Sequence, residues 1–224
     1  MPRLWVKICG VRDVPMAVAI AEAGADAIGL NFYSKSPRSV DRATARHIVN
    51  ELPETVTPIG LFVNETADAI RPVVEDLGLS TIQIHGDEPP EQLAAIAESL
   101  PGVSLIRALR VSAAEGLADV HRYLDACRDL GVALRACLLD ARVEGSYGGT
   151  GQVGPWERIR AEYRFETDPP LILAGGLTPE NVAAGIQTVR PWGVDTAGGV
   201  ESSVACKDMA RVRQFLASAR SVKL

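Results

Sequence analysis

With 224 residues, 47% of them apolar and 23% charged, the chain is long enough to bury the core of one ordinary globular domain. Its 23 basic and 28 acidic residues leave a formal charge of −5, which argues against a general nucleic-acid surface but not against a small anionic ligand. No window reaches the roughly 18 consecutive apolar residues of a membrane span, and four scattered cysteines show no paired metal-ligand spacing.

The first strand is expected over residues 4–10, where Leu4-Trp5-Val6-Lys7-Ile8-Cys9-Gly10 reads as a buried parallel strand. It starts so early that no room is left for a cleavable leader, and free thiols in a reducing cytoplasm are expected. Lys7 and Cys9 share parity and should point to one side, with Val6 and Ile8 on the other. A Lys on so apolar a strand needs a partner. A lone Cys is first of all a small buried hydrophobe, so chemistry at Cys9 depends on what the fold brings beside it.

A helix is expected over 14–24, ending at Gly24, then a strand over 27–32. The polar, basic loop Tyr33-Ser34-Lys35-Ser36-Pro37-Arg38-Ser39 follows, and Asp41 caps a helix over 42–52. A strand over 59–63 leads to a helix capped by Thr66 and ending at Gly78. The strand over 81–84 opens onto His85-Gly86-Asp87-Glu88 and a helix over 90–100. Residues 103–108 form the fifth strand, and a long helical region is expected over 112–130. The strand over 136–139 arrives at Asp140, and a glycine-rich loop spans 145–151. A helix over 156–163 precedes the strand 171–174, which runs into Gly175-Gly176. Pro179 in the first turn favours a helix over 179–189. The last strand, 194–197, runs into Gly198-Gly199, and a helix over 208–220 follows.

Eight strands thus alternate with eight helices. A helix between every pair of consecutive strands makes the strands parallel, and eight such units can close on themselves and abolish both sheet edges. We therefore expect an α/β protein, a single (β/α)8 TIM barrel, with residues 1–224 forming one phosphate-binding domain. An open doubly wound sheet is the rival, but no long switch-point connection is visible.

In such barrels chemistry sits at the carboxyl ends of the strands. Those ends carry Cys9, Asn31, the loop to Arg38, Asn64, His85, Arg107 or Arg110, Asp140, Gly175-Gly176 and Asp195. The two double-glycine turns fall in the seventh and eighth loops, the usual phosphate position, where glycine lets backbone N–H groups approach an anion. Gly175, Gly176, Gly198 and Gly199 are therefore candidate phosphate-binding residues. Asp140, half buried in the mouth, is a candidate acid. Cys9 is a candidate thiolate base, its pKa expected to fall beside Lys7 or a bound cation. The plain alternative makes Asp140 a capping or salt-bridging carboxylate, with Arg142 or Lys7 as partner.

Eight segments then carry a family pattern in order. They are Lys7-Ile8-Cys9-Gly10, Phe32-Tyr33-Ser34-Lys35-Ser36-Pro37-Arg38, Gly60-Leu61-Phe62-Val63-Asn64 and Gln83-Ile84-His85-Gly86-Asp87-Glu88. Further along come Leu138-Leu139-Asp140, Tyr147-Gly148-Gly149-Thr150-Gly151, the run from Leu173 through Gly175-Gly176 to Val182, and Val194-Asp195-Thr196-Ala197-Gly198-Gly199-Val200-Glu201. With these segments the chain resembles the phosphoribosylanthranilate isomerase family of tryptophan biosynthesis over its whole length.

The resemblance implies an Amadori rearrangement of N-(5-phosphoribosyl)anthranilate to 1-(2-carboxyphenylamino)-1-deoxyribulose 5-phosphate without metal or organic cofactor. It implies Asp140 as general acid at the ring oxygen and Cys9 as general base at C2. Arg38 would face the anthranilate carboxylate, His85 and Asp195 would line the substrate cavity, and the four glycines would hold the phosphate. Residues 147–151 would form a loop over the site. The expected partner is a small phosphorylated substrate, with no nucleic acid and no membrane; the expected setting is the cytoplasm, and the choice between monomer and homodimer stays open. One departure stands out: Ala197-Gly198-Gly199 lacks the serine that the family usually carries there. The related histidine-pathway isomerase, or a dual-substrate form, is the nearest rival, yet it uses a carboxylate pair where this chain has Cys9. A barrel that binds phosphorylated metabolites without catalysis is the remote one.

Overall fold

The computed structural model describes residues 3–111, 116–141 and 155–223. Eight parallel strands close into a barrel: β1 (Trp5–Cys9), β2 (Ala27–Asn31), β3 (Thr57–Phe62), β4 (Thr81–Ile84), β5 (Ser104–Arg110), β6 (Leu134–Asp140), β7 (Leu171–Ala174) and β8 (Gly193–Thr196). The helices that return the chain are α1 (Val14–Glu22), α2 (Arg42–Glu51), α3 (Ala67–Leu77), α4 (Pro90–Ser99), α5 (Ala118–Asp129), α6 (Trp156–Glu162), α7 (Val182–Val189) and α8 (Met209–Ser221). Among the described residues, no helix is long and apolar enough to cross a membrane.

Strand parity builds two apolar layers. Ala27, Ile59, Ile106, Ala108, Ala136, Leu138, Ile172 and Ala174 fill the barrel, with Trp5 against them. The alternate residues, among them Val6, Ile8, Ile28, Leu30, Ile82 and Ile84, face outward under the helices. Alanines alternating with Ile and Leu inside, and branched residues outside, suit a sheet buried on both faces. The closing seam pairs β1 with β8, setting Lys7 opposite Asp195. Trp5 stacks on Trp192 across that seam, with ring centroids 5.1 Å apart.

The caps read from the sequence form. Asp41 accepts the Thr44 N–H at 2.8 Å, Thr66 accepts that of Ala69, and Gly78 ends α3 in the left-handed region at φ 61°. Two helices start later than expected. The expected helix over 112–130 is realised as α5 from Ala118, because Gly116 takes φ +66° and the Glu162 carboxylate caps the Leu117 N–H. Residues 112–115 lie outside the described residues. The expected 179–189 helix is realised as α7 from Val182: Asn181 accepts the Thr178 N–H at 2.8 Å and donates to the Gly176 carbonyl, so 176–181 folds as a tight loop.

After β8 the chain makes a 3-10 turn, Gly198–Val200, and a small antiparallel hairpin, β9 (Glu201–Ser203) and β10 (Cys206–Lys207), before α8. The sequence reading missed this hairpin. Strands of three and two residues carry too little alternation to show.

Candidate active site

The carboxyl ends of β1 and β8 supply the deepest charges. Lys7 is fully buried inside the barrel, its ammonium 2.8 Å from Asp195 Oδ1. Burial pulls the Lys7 pKa down, but Asp195 and then Cys9 outweigh it and carry it above its ordinary value. One layer above on the same face, Cys9 points into the mouth. There β2 contributes Gly29, directly beside Cys9 in register. A β-carbon on Gly29 would stand 2.7 Å from the Cys9 sulfur, so the glycine makes room for the thiol.

Burial pushes the Cys9 pKa up, opposed first by Lys7 and further by Lys207, with Asp195 adding to the rise. The expected fall is therefore reversed: desolvation exceeds the pull of two nearby cations. Cys127, Cys137 and Cys206 all read from the sequence as packing residues; Cys127 and Cys137 are buried and also raised, to about 11 and about 12, whereas Cys206 is exposed on the hairpin and is not a packing residue.

Asp140 ends β6, three strands from β1 around the barrel, with the parity of the interior residues Ala136 and Leu138. Its Oδ1 is buried without a hydrogen-bond partner among the described residues, and its Oδ2 lies 4.0 Å from His85 Nε2. The plain reading of Asp140 as a partner of Lys7 is not realised, since Lys7 belongs to Asp195; Arg142 lies outside the described residues. His85 follows β4, its Nδ1 3.3 Å from the Gln83 side-chain amide. Burial, with Lys7 and Arg110, lowers the imidazole pKa against the pull of Asp140 and Asp195, which keeps the ring neutral near pH 7.

Arg38 is delivered by a folded loop. Asn31 accepts the Tyr33 N–H and donates to Ser36 Oγ, and that oxygen accepts the Arg38 N–H. The aliphatic stem of Arg38 lies over Gly10, where a β-carbon would come within 2.8 Å of it. Its guanidinium makes a two-pronged contact with Glu201, both bonds 2.7 Å long, and Glu201 also accepts from Lys207 at 2.7 Å. Burial would raise the Glu201 pKa, yet the bonds from Arg38 and Lys207 hold it at about 2. Sequence reading placed Arg38 in the site but gave no role to Glu201 or Lys207.

The phosphate candidates converge. Gly175 and Gly176 take φ 87° and 68°, which a side chain would resist. Thr196 Oγ donates to the Leu177 carbonyl at 2.7 Å, tying the seventh loop to the eighth strand. Gly199 packs so closely on Leu177 that a β-carbon would fall 1.8 Å from its carbonyl oxygen. The two double-glycine turns therefore share one corner of the mouth, pinned from behind by Arg211 on the Gly199 carbonyl and Lys207 on the Ala197 carbonyl.

Of the two cations considered at the fifth strand, Arg107 is no part of the site. It is buried on the outer side, 2.7 Å from Glu88 and over the Tyr123 ring. It holds the loop after β4 in place, together with Asn64, whose N–H meets Glu88 and whose Oδ1 accepts from Asp87. Arg110 stays exposed at the rim. The loop 147–151 lies outside the described residues.

Comparison with known proteins shows the family and the fold. A model of the family described as N-(5'phosphoribosyl)anthranilate (PRA) isomerase matches residues 6–218. The N-(5'-phosphoribosyl)anthranilate isomerase of Myxococcus xanthus is 42% identical over 219 residues, covering 98% of this chain and 97% of that protein. The crystal structure of phosphoribosyl anthranilate isomerase from Thermotoga maritima superposes with a TM-score of 0.83 at 36% identity, covering 98% of this chain and all of that one. A further crystal structure of such an isomerase, in complex with reduced 1-(o-carboxyphenylamino)-1-deoxyribulose 5-phosphate, gives a TM-score of 0.80 at 35% identity, with 98% of this chain covered and all of that one.

Proposed function

The chain belongs to the phosphoribosylanthranilate isomerase family, and from that premise we propose which of its residues carry the reaction. It is an isomerase of tryptophan biosynthesis, turning N-(5'-phosphoribosyl)anthranilate from aldose into ketose form. Asp140 gives a proton to the furanose ring oxygen through Oδ1, the oxygen that no described side chain occupies. The anilino nitrogen pushes its lone pair toward C1 as the C1–O bond breaks, leaving an open-chain iminium. Cys9 takes the C2 proton, giving the enolamine, which tautomerises to the ketone. The raised Cys9 thiol suits this order: the iminium adds a positive charge to that of Lys7 just when thiolate is needed.

Arg38 receives the anthranilate carboxylate. Glu201 occupies Nε–H and one Nη2–H of the five guanidinium protons, which leaves three for the substrate. His85 donates from its neutral ring, and Asp195, with Oδ1 committed to Lys7, turns its remaining capacity toward the sugar hydroxyls. Gly175, Gly176, Gly198 and Gly199 present backbone N–H groups to the phosphate within one domain spanning residues 1–224. The protein works in the cytoplasm as a monomer or homodimer, a choice that sedimentation would decide.

The observation that supports the reading best is that Cys9 and Asp140 end two strands three apart in one barrel, whose mouth also carries Arg38 and the paired glycine turns. Cys9→Ala and Asp140→Asn should each lower turnover about 100-fold or more, the size of general acid–base loss. The assay follows loss of fluorescence of the anthranilate conjugate. Near-normal rates in both variants would overturn the assignment.

A further inference from the structure

The hairpin β9–β10 has no part in closing the barrel, yet it buries two charges. The Glu201 side chain is 4% exposed and that of Lys207 2%. The Glu201 carboxylate is saturated: Oε1 accepts from Arg38 Nε and Lys207 Nζ, and Oε2 accepts from Arg38 Nη2 and the Ala205 N–H. Lys207 then reaches on to the Ala197 carbonyl, at the start of the eighth-loop glycine turn. A continuous path of charge-assisted hydrogen bonds therefore runs from Arg38 to the backbone beside the phosphate candidates.

Burying such a pair is costly, and a pair of similar apolar residues would hold the hairpin as well. The geometry explains its presence differently. A guanidinium on a flexible stem loses rotamer freedom whenever it binds a carboxylate. Two bonds from Glu201 and the contact with Gly10 remove that freedom before substrate arrives. The charges of Arg38 and Lys207 exceed that of Glu201 by one, so the cluster stays attractive to an anion.

We propose that Glu201 and Lys207 are positioning residues: they fix the Arg38 guanidinium toward the substrate carboxylate and set its place relative to the phosphate corner. This rests on the reading of Arg38 given above. The test measures binding of reduced 1-(o-carboxyphenylamino)-1-deoxyribulose 5-phosphate and of its phenylamino counterpart without the carboxylate. Glu201→Gln should weaken the carboxylated probe about 10- to 100-fold, the span of a charged hydrogen bond, and leave the other within about threefold. With phosphoribosylanthranilate as substrate, KM should rise by a similar factor while kcat changes little. In an Arg38→Met background the Glu201 substitution should add nothing further.

Because Glu201→Gln strands the Lys207 charge, Glu201→Gln with Lys207→Met provides a variant without a buried unpaired ion, and it should show the same carboxylate-selective loss. Unchanged or tighter binding of the carboxylated probe, equal losses for both probes, or additivity with Arg38→Met would overturn the proposal. If Arg38→Met itself binds both probes as the unaltered protein does, the reading of Arg38 fails, and the positioning role with it.

Discussion

Replacing Lys7 by Met tests the deepest element of the site. The substitution keeps the bulk of a fully buried side chain and removes only its charge. Asp195, 10% exposed, would be left as a carboxylate without its partner at 2.8 Å. At an effective dielectric near 20, unit charges that close attract by about 6 kcal/mol. Most of this is offset by desolvation of the pair, but the offset is already spent when one partner disappears. Breaking a buried pair from one side accordingly costs about 3–5 kcal/mol. For a chain of this size that lowers Tm by about 6–20 °C. Converting Asp195 to Asn in the same molecule should restore most of the loss, since no unpaired ion then remains.

Lys7 is also the strongest influence drawing the Cys9 pKa down, so Lys7→Met should raise that pKa further. The rate of Cys9 alkylation against pH, in a chain whose exposed Cys206 has been replaced, reads this directly. A Lys7→Met protein with unaltered Tm, or an unaltered alkylation profile, would refute the reasoning.

Gly29→Ala should place a methyl group 2.7 Å from the Cys9 sulfur and 3.0 Å from its Cα. A shift of about 1 Å in the base can cost about 100-fold in turnover, whereas overpacking of this kind destabilises by only about 1–3 kcal/mol; parallel rate and urea measurements should therefore show turnover falling while the fold survives. Glu201, held at about 2 against an ordinary 4.5, contributes up to about 3 kcal/mol to folding, less what solvent screening removes. A lowered carboxyl pKa stabilises fully above the unfolded value. The contribution should therefore be present above about pH 4.5 and vanish as pH falls through about 2. Urea unfolding of the unaltered protein and of Glu201→Gln should differ constantly above pH 5 and converge in acid; a difference that persists unchanged into acid would contradict the assigned role.

How much of this could be read from the chain alone varies by residue. The positions of Cys9 and Asp140 at inward-facing strand ends were legible because each ends an apolar run of the correct parity, and parity survives folding. That Lys7 needs a partner was also legible, but not its identity: Asp195 lies 188 residues away, and only closure of the barrel sets the two side by side. Gly29 carried no signal, since its use depends on a sulfur from another strand. Glu201 stood at the end of a recognisable segment without a visible task. Lys207 had none, because the path to Arg38 exists only once the small hairpin has folded. The direction of the Cys9 pKa was misjudged for a related reason: neighbouring cations can be anticipated from sequence, whereas the depth of burial that outweighs them cannot.

The seam between β1 and β8 also bears on the order in which the molecule assembles. Every other ladder among the described strands joins segments that follow one another along the chain, while this one joins the two ends of the strand series. The entropy of closing a loop grows with its length, so local units form more readily than the contact that unites them. The strand pairing expected to form last is then the one that sets Lys7 beside Asp195, and Cys9 should meet its buried surroundings only as the ring shuts. Trp5 and Trp192 stack across that junction, so their indole emission is expected to report the closing of the ring.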